Sequence, residues 1–186
     1  MGRFKKCTKI LTVSVCIVLA ALGFVLIMYL RSNAYVKDSF ANNYRSFNCV
    51  ADYLVKVSKN YPDNTTFTIW HLYDGHYKFD YKIHRMGSRE EVLWKTSDRP
   101  NDEEVKALNR VFRSCGAGSL SMSKRNNVCV IEFSFNNNSD NWKEIVYSTD
   151  PEQRNMSDSF MDARRESYEY SHIELAEKWT FWYTTG

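Results

Sequence analysis

The sequence predicts an α+β domain carried behind a single N-terminal transmembrane helix, and three observations predict it. Ile10 to Leu30 is an uncharged, proline-free run. At 1.5 Å per residue it covers roughly the 30 Å hydrocarbon core of a bilayer. Beyond it, stretches with apolar residues every three or four positions alternate with stretches where they recur every second position. Proline is scarce, 3 in 186 residues, and no low-complexity linker separates these stretches. Roughly 150 residues therefore remain for one compact domain with a core of its own.

Charge sets the topology. Arg3, Lys5, Lys6 and Lys9 precede the run without an acid among them. Basic residues flanking a first span stay in the cytoplasm. The reading is a cytoplasmic tail over 1–9, a signal-anchor helix over 10–30 and an extracytoplasmic domain over 31–186, in the cell membrane as a single-pass protein. The rival is a cleaved signal peptide, because Ser32-Asn33-Ala34 has the small residues of a cleavage site before Tyr35. The formal charge of +3 misleads about partners. Of 25 basic residues five lie in residues 1–33, which hold no acid, leaving 20 against 22 acidic ones. A mildly acidic domain gives no electrostatic reason to bind nucleic acid.

Helical spacing resumes after Arg31. Phe40, Tyr44, Phe47, Ala51 and Leu54 form one stripe, widened by Val50 and Val57, and Lys59-Asn60-Tyr61-Pro62 ends it. The helix either continues the membrane helix or is jointed to it at Ser32-Asn33. Thr66 to Tyr73 and His76 to Ile83 then flank Asp74-Gly75, the dipeptide of a two-residue hairpin turn. That register sets Trp70 opposite Phe79 and Thr68 opposite Tyr81, giving one aromatic face and one polar face. A short third strand is expected within Val92 to Thr96. Asn101 with Glu104 spells a capping box; Val105, Leu108 and Phe112 follow as a stripe, and Gly116 ends the helix.

Leu120 and Met122 lead into a polar turn at Lys124 to Asn127. Cys129, Ile131, Phe133 and Phe135 alternate on the far side, which sets Met122 opposite Cys129. Trp142 to Ser148 makes another strand, and 151–167 reads as an exposed loop or short helix. Ser171 to Leu175 and Trp179 to Tyr183 form a last hairpin, with Trp182 on the face opposite Trp179 and Phe181. The order, one helix and up to three strands twice over, hints at a duplicated α-β unit. The expected fold is an antiparallel sheet covered by about two helices.

Ile173-Glu174-Leu175, a turn, and Trp179-Thr180-Phe181-Trp182-Tyr183, together with the N-terminal anchor, resemble the C-terminal hairpin and layout of uncharacterised membrane-anchored or exported proteins of Gram-positive bacteria. The resemblance implies a bacterial source and no activity. It would also make the Asn-x-Ser/Thr triplets at Asn64, Asn137 and Asn155 irrelevant as glycan acceptors.

Candidate sites are few. Cys49, Cys115 and Cys129 lie in the domain; a Cys115–Cys129 disulfide is one reading and three reduced, buried thiols the other. His71, His76 and Asp80 share a strand face, but their spacing fits no metal motif, so no metal and no cofactor is expected. No phosphate loop and no nucleophile elbow is present. Trp70, Tyr77, Tyr81, Trp179 and Trp182 crowd the strands. They are either core or an aromatic groove for a sugar or peptide. The sequence thus points to a non-enzymatic extracytoplasmic binding module touching the lipid bilayer and a protein or cell-wall partner. A cell-envelope hydrolase built on His71 or His76 is one alternative. A subunit of a membrane complex, joined through Ala20, Ala21 and Gly23, is the other.

Overall fold

A computed structural model describes residues 2–30, 32–70, 82–85, 91–92, 98–135, 142–153 and 170–184. The chain divides into two compact units, Met1–Asp38 and Ser39–Gly186.

In the first unit, helix α1 runs Gly2–Leu30. Its side chains are described at Thr12 and over Ser14–Tyr29, and all of these are exposed except the half-buried Gly23. Ser14–Tyr29 covers about 24 Å at 1.5 Å per residue. Among the described residues no single helix is long and apolar enough to cross a membrane. Helix α1 ends at Leu30. Ser32 Oγ donates to the Tyr29 carbonyl at 2.6 Å and accepts from the Tyr35 amide at 3.2 Å, and so caps the next helix, α2 (Asn33–Ser58).

The second unit is α+β. Its strands are β1 (Thr65–Trp70), β2 (Lys82–Arg85), β3 (Glu91–Val92), β4 (Ser119–Arg125), β5 (Val128–Phe135), β6 (Lys143–Ser148), β7 (Tyr170–Ala176) and β8 (Trp179–Thr184). Among the described residues these eight form one sheet in the order β3-β2-β1-β4-β5-β6-β8-β7. Every neighbouring pair is antiparallel. Helix α3 (Asp102–Asn109) lies between the two sets of strands in the chain.

The core lies between α2 and one sheet face. Phe47, Val50, Ala51 and Leu54 of α2 are at most 1% exposed, as are Phe67, Leu120, Ile131, Phe133, Ile145, Trp179 and Phe181. Trp179 is the centre of the aromatic packing, with Phe40, Phe133 and Tyr147 centroids within 5.0–5.7 Å. Its indole N–H donates to Asn48 Oδ1 at 3.0 Å, satisfying the one polar atom that its burial would strand. The opposite sheet face carries Val128, Val130 and Val146 with Trp182 against them. As the alternation required, Trp179 and Trp182 are on different faces.

Two anchors fix the end of α2. Lys124 Nζ donates to the Ser58 and Tyr61 carbonyls at 3.2 and 2.8 Å, a cation where helix carbonyls lack partners. Buried Asp98 accepts from Tyr61 Oη at 2.8 Å and Asn60 Nδ2 at 2.7 Å, while its own carbonyl accepts from Tyr53 Oη.

Three expectations change. The β4–β5 register is Met122 opposite Ile131, with Cys129 opposite Lys124. The turn is only Asn126-Asn127, both left-handed at φ 49° and 64°, so the strands extend to Arg125 and Val128. The buried face is unchanged because the slip is two residues. The β1–β2 register sets Thr68 opposite Lys82, not Tyr81. Phe67 and Ile69 form the buried face of β1, against the expected side holding Thr68. In this strand the apolar residues alternate with threonines, and burying the apolar set wins. Tyr44 is 41% exposed rather than part of the stripe, because α2 breaks at Asn43, one residue before it.

Candidate functional site

That break at Asn43 (φ −125°, ψ 21°) is one of two helix irregularities that meet at the same place. Asn43 Nδ2 caps the interrupted turn by donating to the Ser39 carbonyl at 2.8 Å. The other irregularity follows α3. That helix starts as the sequence indicates: Asn101 Oδ1 accepts from the Glu103 and Glu104 amides, and Glu104 accepts from the Asn101 amide at 2.7 Å. It then widens into a π-turn over Arg110–Ser114, and Gly116 at φ 77° ends it. Arg110 Nε donates to Asn43 Oδ1 at 2.8 Å, so the π-turn and the kink hold one another.

Between these helices lies a groove of two adjoining cavities. One, of about 680 Å³, is lined by Tyr44, Arg45, Cys49, Glu103, Lys106 and Arg110 among others. The other, of about 440 Å³, shares Arg45, Cys49 and Glu103 and adds Asp52, Lys56 and Glu104. The first end is cationic, three positive side chains against Glu103. None of the ion pairs among the described residues engages Arg45, Lys106 or Arg110; Lys56–Glu104 at 4.0 Å belongs to the second cavity. Cys49 is half-buried on the shared wall. Burial pushes its thiol up, and the Glu103, Glu104 and Asp52 carboxylates add to that. It is therefore a poor nucleophile.

Of the residues singled out in the sequence, the described tryptophans Trp179 and Trp182 lie on opposite sheet faces. Trp179 is 1% exposed and belongs to the core, which corrects its assignment to a ligand surface. Trp182 is half-buried on the other sheet face, where His172 stacks on it at 4.7 Å. The side chain of Trp70, and all of Tyr77, Tyr81, His71, His76 and Asp80, lie outside the described residues. Cys115 and Cys129 are free thiols, not a disulfide. Cys115 Sγ contacts the Ser39 carbonyl and Cys129 Sγ contacts Ser58 Oγ at 3.1 Å. Ser39 to Ser58 along α2 is about 28 Å at 1.5 Å per residue, whereas a disulfide joins Cα atoms within about 7 Å. Among the described residues no group of three His, Cys, Asp or Glu is placed to hold a metal ion.

Sequence reasoning missed the groove. One signal was legible: Lys106 and Arg110 stand four apart, on one helix face. The kink that exposes Tyr44 and Arg45 beside them was not.

Fold and groove together define an α+β unit with a charged groove between α2 and α3. No protein-family model, no curated protein and no solved structure matches the chain.

Proposed function

We propose that this chain is a membrane-anchored interaction module. Helix α1 crosses the bilayer, the basic tail stays in the cytoplasm, and the α+β unit works outside it, on a partner protein. The observation that carries this reading is the state of α1. Ten large apolar side chains between Val15 and Met28 are 50–65% exposed. In water each forfeits on the order of 1 kcal/mol of transfer free energy. Ten together rival the whole stability of an ordinary domain, about 5–15 kcal/mol. Lipid removes that cost. Tyr29 and Tyr35, packed edge to face at 5.8 Å, add the amphipathic rings favoured at a membrane surface.

Alkaline carbonate extraction of host membranes tests the anchor, and protease added to sealed right-side-out vesicles tests the orientation. The full-length chain is expected to stay in the pellet and to lose its C-terminal unit to the protease. Release into the supernatant, or a mature N-terminus at Tyr35, would refute the anchor.

A further inference from the structure

We infer that the groove between α2 and α3 binds an extended acidic peptide segment of a partner protein, its carboxylates meeting Arg45, Lys106 and Arg110. The inference deepens the interaction-module reading by naming the partner's chemistry. Two independent features point to the same place. The first is charge: the three cations have no carboxylate within 4.0 Å among the described residues, and they line a 680 Å³ cavity opposed only by Glu103. Three cations against one carboxylate leave the cavity net positive, and an anionic segment supplies the missing counter-charge. The second is backbone irregularity. A helix break at Asn43 and a π-turn at Arg110–Ser114 both depart from regular helix on the groove wall. They are coupled by the Arg110–Asn43 hydrogen bond on the groove wall, and single π-turns within helices are frequent at functional sites.

The groove also suits a peptide rather than a bare anion. The exposed Tyr44 ring offers an apolar contact beside the cations, edge to face on Phe40 at 5.4 Å. The second cavity extends the groove past Cys49 along Asn48, Tyr53 and Lys56, giving a segment of several residues room to lie along it.

Fluorescence anisotropy of labelled hexaglutamate, titrated with the full-length protein in uncharged detergent at low ionic strength, tests this. R45E/K106E is expected to bind about ten-fold more weakly than wild type, a difference of about 1.4 kcal/mol. K59E/R125E, the same charge change at exposed positions outside the groove, is expected to bind as wild type does. Failure of wild type to bind, or equal losses in the two variants, would overturn the inference. So would displacement by inorganic triphosphate at concentrations where hexaglutamate itself displaces, which would assign the groove to phosphate. Carbonate extraction reads α1 alone, so failure of either experiment leaves the other's conclusion standing.

Discussion

Burial pushes the Cys115 thiol up to about 11, with Arg110 pulling weakly the other way. A group whose native value is raised favours folding while it is protonated in both states. Its contribution is complete below the unfolded value of 9.0 and is lost as pH climbs toward 11. Lys143 has the opposite sign. Burial lowers it, so its charged form carries a penalty at neutral pH that eases as pH rises through the lowered value to 10.5. Comparing wild type with Cys115→Ala cancels the lysine. Between pH 8 and pH 10.5 the urea midpoint of wild type is expected to fall more steeply than the variant's. Parallel declines would show that the thiol is not buried as described. None of this was legible in sequence, where Cys115 reads equally as a disulfide partner.

The elements divide into those that local chemistry specifies and those that it does not. The capping box at Asn101 and Glu104 was legible because both partners are three residues apart and need nothing from the rest of the fold. Asn101→Ala is accordingly expected to cost about 1 kcal/mol, measured by chemical denaturation. A variant indistinguishable from wild type would mean α3 is held by packing alone. The β4–β5 register was not legible. Four polar residues, Lys124 to Asn127, all suit a turn, and only left-handed dihedrals at the two asparagines choose among them. Tyr44 was misplaced for a related reason: periodicity assumes an unbroken helix, and the break at Asn43 depends on Arg110, far along the chain.

At the scale of the molecule, the class α+β and the two-sided burial of the last strand were legible because alternation and helical spacing are local. The strand order was not. Nothing in β1 or β4 announces that they pair, and although alternation put Trp179 and Trp182 on opposite faces, it did not say which of the two would sit under α2. Trp179→Ala tests the centrality of that packing. It is expected to cost about 3–5 kcal/mol with loss of near-UV dichroism. A cost below about 1 kcal/mol would place the true core elsewhere.

The middle of the sheet has a consequence for how the chain tolerates insertion. Strands β1 and β4, adjacent there with Trp70 opposite Ser119, are the paired strands farthest apart along the chain. Their meeting closes the longest loop, whereas β4, β5 and β6 can zip locally on short connections. Loop-closure entropy grows only logarithmically, about 0.6 kcal/mol per doubling of length. The stability of this seam is therefore insensitive to chain added between β3 and α3. That is where evolution, or an engineer, can lengthen this protein at least cost to its stability.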